Sequence, residues 1–194
     1  MSQNPTKEML ELLAKHGDKP YPGEAITLLE HSIRTAWLAE QEKVPSTKIV
    51  AALLHNLEQI LYNPGQNAAP TGKDNAPEEI THHHYIRRWF GEPVFEPIRM
   101  QPEATRYLQA KEPEYASQIS ETSAKELQKG KGPMTEAEAD AFLKLPYAEA
   151  AIRLRHWHDM AMVQNLSAPP LDHFLPHLDA ASTVTDHIRA AEDL

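Results

Sequence analysis

Eleven histidines among 194 residues, with no cysteine at all, are the first chemical signal in this chain. His31 lies inside the apolar segment LLEHSIRTAWLAE and His55 inside IVAALLHNLEQILY. An imidazole in such surroundings loses hydration unless both ring nitrogens find partners. A metal ion supplies one partner and an outer acceptor the other. Two ordinary hydrogen bonds do the same, so each histidine reads either as a ligand or as a structural residue. His156 and His158, in RLRHWHD, stand two positions apart and cannot share one helix face, so at most one of them faces a given site. His82, His83 and His84 are consecutive and spread over roughly two thirds of a helix circumference, so they cannot all bind one ion. The triplet reads as a solvated or supporting feature.

The acidic residues inform by their position. A pair of divalent ions held close together normally needs a bridging carboxylate to offset their charge. His55 is followed by Asn56, and the nearest acid, Glu58, reads as an ordinary polar position. The missing cysteine excludes disulfides, thiolate nucleophiles and zinc-thiolate sites. A formal charge of -9 disfavours phosphate backbones and hence general nucleic-acid binding, while leaving room for a small anionic substrate at a local site. No stretch approaches 18 consecutive apolar residues, so no membrane span is expected, and the N-terminus has no signal-peptide pattern. A cytoplasmic location is the expectation. No nicotinamide, flavin or nucleotide-binding loop is legible, so no organic cofactor is implied.

The elements that must carry these residues read as helices throughout. Apolar residues at three- and four-residue spacing predict helices over 5–16, 24–42 and 46–61, the last apolar on more than one face and so central and buried. Residues 63–76 are rich in Asn, Gly, Pro and Ala and read as a surface loop or mobile flap. Pro77 opens a helix that ends near Gly91, a short piece follows at 94–99, and another helix covers 101–111. Short pieces lie between 113 and 128. Thr135 to Glu138 is a capping box opening a helix to 143. A further helix spans 146–162, and a last one, after Pro169 and Pro170, is broken or kinked at Pro176. Period-two alternation is absent. The expected fold is all-α, a compact helical bundle forming one domain over 1–194.

These residues resemble a known family. LLEHSIRTAWLAE followed by IVAALLHNLEQILY resembles the opening of an HD-superfamily domain. YPGEAITLLEH, RRWFGEPV, EPIRMQPEATRYL, GPMTEAEADAFLKLPYAEAAIRLRHW and APPLDHF resemble the diiron oxygenases of that superfamily that cleave hydroxylated aminoalkyl phosphonates. The likeness covers about residues 18 to 180 and implies an HD-domain helical bundle. Carried over residue by residue, it keeps His31 and His55 as metal ligands and puts His158 where the family has a terminal carboxylate. The bridging aspartate falls on Asn56. The second ion's histidines fall on Gln59, Pro77 and Gln101, and the phosphonate-binding lysine on Thr105. Ser123 and Arg155 match the remaining anion contacts, and Tyr21 and Glu24 match a gating pair over the metal. His82, one turn beyond Pro77, is placed to reach the vacated second position.

What the resemblance implies is a degenerate diiron site reduced to one divalent ion held by three neutral imidazoles, Fe(II) ahead of Zn(II). The expected function is mononuclear Fe(II)/O2 oxidation or oxidative cleavage of a small polar or acidic substrate. Asn56, Tyr21 and Glu24 would stand at the reacting centre, and Arg155, Ser123, Thr105, Gln59, Gln101 and His82 around the substrate. Two alternatives stay open: a metal-dependent lyase or isomerase, and a catalytically inactive small-molecule-binding or interaction protein. The oligomeric state is not legible.

Overall fold

Caps and close approaches, more than helix propensity, set where each element begins and ends. The computed structural model describes residues 5–61, 82–120, 123–125, 130–163 and 166–183. Helix α1, Pro5–His16, stops at Gly17. A β-carbon at Gly17 would lie 2.6 Å from both the Leu13 carbonyl oxygen and Leu29 Cβ, so only glycine lets the chain pass there. The Gly17 carbonyl accepts from the Leu29 amide at 3.0 Å, fastening α1 to the next helix. Between them, the Tyr21 amide donates to Ile26 O at 2.8 Å and the Leu28 amide to Lys19 O at 2.9 Å. These bonds form an isolated antiparallel bridge between Pro20 and Thr27, and among the described residues there is no strand.

Helix α2, Leu28–Gln41, begins four residues later than the apolar spacing predicts, because Thr27 and Glu30 close a capping box there. The predicted single helix over 46–61 is two: α3, Ser46–Leu54, and α4, Leu57–Leu61. The His55 imidazole takes the Ala52 carbonyl at 2.7 Å, the group a continuing helix would offer to the Asn56 amide. Helix α5, His82–Phe90, meets α6, Glu92–Arg99, at Gly91, whose φ of 69° suits glycine. Helices α7, Gln101–Lys111, and α8, Tyr115–Gln118, follow, and α9, Glu136–Leu143, opens on the expected capping box of Thr135 and Glu138. The long α10, Ala148–Val163, precedes a 3-10 turn over Leu171–Phe174 and α11, Leu175–Ala181. Pro176 sits in the first turn of α11, so it starts that helix where the sequence suggested a break.

The all-α expectation holds. Helix α3 is the buried centre: every residue from Ile49 to Leu54 is buried, against α2, α6, α10 and α11. Nine residues are too few for a helix to persist alone in water. Burial of Ile49, Leu53 and Leu54, at about 2 kcal/mol each, supplies what local propensity lacks. Helix α10 joins two apolar clusters, with Leu154 and Trp157 in the larger core and Ala148 and Ala151 in a smaller one with Met100, Met134 and Phe142. No described helix is long and apolar enough to cross a membrane. The segment 63–76 and Pro77 lie outside the described residues.

Candidate metal centre

Three elements meet at one point. His31 comes from the first turn of α2, His55 from the end of α3 and His158 from α10. One ring nitrogen from each lies within 4.8 Å of the others, and among the described residues no aspartate or glutamate joins them. The ring centroids are 4.5 to 5.2 Å apart and the rings meet edge to face. His31 is fully buried and His158 nearly so. His156, its neighbour two positions away, points elsewhere and meets Glu112 at 3.2 Å.

The hydrogen bonds assign the ring protons. His55 Nδ1 donates to Ala52 O at 2.7 Å, which leaves Nε2 as the base. That Nε2 lies 3.2 Å from His158 Nδ1. His31 Nε2 donates to the His158 carbonyl at 3.1 Å, which leaves Nδ1 as the base, and the Asn56 amide nitrogen faces that atom at 3.0 Å. His31 and His55 thus each fix one ring nitrogen on a backbone carbonyl, the pattern by which backbone acceptors orient metal-binding imidazoles.

Electrostatics keep all three rings neutral. Burial pushes the His31 pKa well below its usual value, helped by the charge of His55 and of Arg155, while the bond to the His158 carbonyl acts the other way. Burial lowers His55 to about 4, with Arg155 adding to the effect. His158 is likewise held well below the usual range by burial first, then by Arg155. Neutral imidazole is the form that donates to a metal. His55 Nε2 and His158 Nδ1 fit one borderline cation, since two nitrogens 3.2 Å apart and about 2.1 Å from a common ion subtend about 100°. The nitrogens of the three rings spread over 4.8 Å and would have to draw in for His31 to join them.

Above the cluster, the loop before α2 lays the Tyr21 ring 4.8 Å from His31 and 6.4 Å from His158, centroid to centroid. Glu24 lies in the same loop, half-buried, and its carboxylate is not part of the cluster.

Beside the cluster, a cavity of ≈ 440 Å³ opens between α7, α10, Ser123 and the chain at 130–132. Gln101, Thr105, Arg106, Ser123, Lys131 and Arg155 line it. Four of these, Gln101, Thr105, Ser123 and Arg155, are residues that the sequence placed around the substrate, and they converge from three separate segments. Arg155 lies one turn before His158 on α10, so the cavity abuts the cluster without the imidazoles lining it. Gln101 spends its amide on Pro97 O at 2.8 Å and Ala151 O at 3.0 Å, joining α6, α7 and α10. Thr105 donates to Gln101 O at 2.9 Å. Gln59, expected beside the substrate, is exposed on α4 and is not among the residues lining the cavity. The side chain of His82 lies outside the described residues.

Sequence reasoning missed the partners of Arg155. Its guanidinium meets Asp159 at 2.7 and 3.0 Å and the Tyr115 hydroxyl at 3.0 Å, and that hydroxyl donates to Asp159 at 2.6 Å. Burial works against the charge on Arg155, but Asp159 more than offsets it and the pKa is raised. The four-residue step from Arg155 to Asp159 on one helix was the available signal.

A helical fold bringing three neutral imidazoles to a point, with a cavity lined by Arg106, Lys131 and Arg155 alongside, defines the class as a helical protein with a histidine-only candidate metal centre. The chain belongs to the family of the phosphonate dioxygenases. It is 31% identical over 166 residues to a hydroxymethylphosphonate dioxygenase of Gimesia maris, covering 86% of this chain and 82% of that one. It is 31% identical over 162 residues to a glycine-betaine-forming 1-hydroxy-2-(trimethylamino)ethylphosphonate dioxygenase of Leisingera caerulea, covering 84% and 82%. An uncharacterized protein of Acanthamoeba polyphaga mimivirus is 30% identical over 168 residues, covering 86% and 76%. No family model matches the chain.

Proposed function

We propose that this protein is a single HD-like domain acting as a mononuclear, three-histidine Fe(II) oxygenase on a small hydroxylated acid. The observation that carries the reading is the meeting of His31, His55 and His158 with no carboxylate among them, in a chain of the phosphonate dioxygenase family. When bound, Fe(II) supplies the means to activate dioxygen beside a chelating substrate.

The chain's own residues do the rest. His31, His55 and His158 hold the ion. Asn56, buried and bonded to His31, is a neutral hydrogen-bonding group where a bridging anion would otherwise draw in a second cation. Tyr21 covers the His31 face and limits water entry. Arg155 and Ser123 fix the acidic group in the cavity and Thr105 offers it a hydroxyl, with Arg155 held in place by Asp159 and Tyr115.

Anaerobic titration of apoprotein with Fe(II) and Zn(II), with elemental analysis and optical spectra before and after oxygen, tests this. One ion per chain and a spectral change on oxygen exposure are expected. Two tightly held ions, or none under any loading, reject it.

One observation favours a second reading. Both nitrogens of His31 already have protein partners, Asn56 and the His158 carbonyl, so the cluster is satisfied by hydrogen bonds alone. A protein that binds small acids without turnover follows if no metal loads.

A further inference from the structure

The cavity contains more positive charge in its wall than it can offer a ligand. Arg155 is committed to Asp159 at 2.7 Å. Arg106 is committed twice: Nε donates to Gly132 O at 3.0 Å, and an Nη meets Glu138 at 3.1 Å. The remaining cation in the lining is Lys131, and among the described residues it has no carboxylate partner. Glu103, also in the lining, is exposed.

The backbone just after Lys131 is held to α7 by two bonds. Arg106 grips the Gly132 carbonyl, and the Met134 amide donates back to Arg106 O at 3.2 Å. Gly132, with φ of 75°, turns the chain, and a β-carbon there would meet nothing within 4 Å. The wall is therefore fixed while the lysine side chain, exposed and flanked by Gly130 and Gly132, keeps its freedom. An ammonium on a flexible stem at the edge of a cavity, with a buried serine and an internally offset arginine deeper in, suits capture of an acid head group from solvent.

We propose that Lys131 is the charge-selecting residue of this cavity, pairing with the acidic group of a ligand that carries one net negative charge there, a carboxylate or a singly ionised phosphonate. This rests on the reading of the cavity as the substrate site. Arg155 then orients the same group by hydrogen bonding, its own charge being largely offset by Asp159.

The experiment is calorimetric titration of the full chain, metal-loaded and anaerobic, with glycolate and with hydroxymethylphosphonate as probes. Wild type, Lys131→Gln and Lys131→Arg are compared, and the metal content of each is measured. Lys131→Gln is expected to weaken both probes about tenfold and to flatten their salt dependence, while Lys131→Arg stays within about threefold of wild type. Because Lys131 is exposed, the unfolding midpoint and metal content of all three stay equal. Equal probe affinity in wild type and Lys131→Gln, or no binding of either probe to wild type, overturns the assignment. Failure to load metal, with acid binding still dependent on Lys131, removes the oxygenase reading and leaves this one standing.

Discussion

His158 Nδ1 stands 3.2 Å from His55 Nε2, a contact between residues 103 positions apart in the chain. Two nitrogens that close either share a proton or share an ion, and the Ala52 bond on the far side of His55 permits both. In the metal-free protein His158 donates and His55 accepts. An ion held by both nitrogens would require the His158 tautomer that carries its proton on Nε2, so loading would move that proton across the neutral ring without releasing it.

His158→Ala is expected to lower metal affinity at least about tenfold, since a three-ligand site loses a ligand and the oriented partner of His55. His158→Asp keeps a ligand and retains metal. Elemental analysis after dialysis against a weak chelator reads both, and full loading of His158→Ala would move the centre elsewhere.

Asn56→Asp adds a carboxylate beside His31 at a buried position. One ion per chain should bind more tightly than in wild type, but the count should stay at one. Gln59 is exposed, and Gln101 holds backbone carbonyls on two helices, so neither is set to complete a second site. Two ions per chain in this variant would contradict that.

Acid should destabilise the apoprotein through these imidazoles. Folded pKa values depressed below 6.5, to about 4 for His55, mean that the unfolded chain binds more protons between those limits. Stability is therefore full above pH 6.5 and falls as pH drops toward 4, His55 alone accounting for about 3 kcal/mol over that window. Urea unfolding should give at least about 2 kcal/mol less at pH 5 than at pH 7, with a smaller difference in His55→Gln.

Asp159→Asn should cost about 3 kcal/mol in urea unfolding, because it leaves a nearly buried Arg155 without its anion. It should also raise the affinity of glycolate, since the freed guanidinium then adds its charge to the cavity. Unchanged or weaker glycolate binding would show that the freed charge does not reach the cavity.

Gly17→Ala is expected to lower stability by about 2 kcal/mol, the cost of forcing α1 away from α2 around a β-carbon that meets Leu13 O and Leu29 Cβ. Thermal unfolding reads it directly, and an unchanged midpoint would show that the two helices separate at no cost.

Local rules carried far in this protein. The 3.6-residue spacing, the Thr135 box and the proline positions were enough for an all-α fold and for most helix boundaries, because those signals act within a turn or two of themselves. Two of the histidines were legible for the same reason: an imidazole in the apolar runs around His31 and His55 needs partners whatever the rest of the chain does. Where local signals competed, they misled. The apolar pattern runs unbroken through His55, and only the imidazole's hold on Ala52 O shows why α3 stops there.

The centre itself belonged to tertiary structure. His31, His55 and His158 meet because α2, α3 and α10 pack around one core, and no spacing along the chain encodes that distance. Likeness to a family proposed His158; packing placed it. The pairing of Arg155 with Tyr115, and the way Arg106 pins the segment that holds Lys131, likewise join parts of the chain with no local reason to meet. Charge counted along a sequence says how much of it there is, while its availability to a ligand depends on which carboxylates the fold has already brought to each cation.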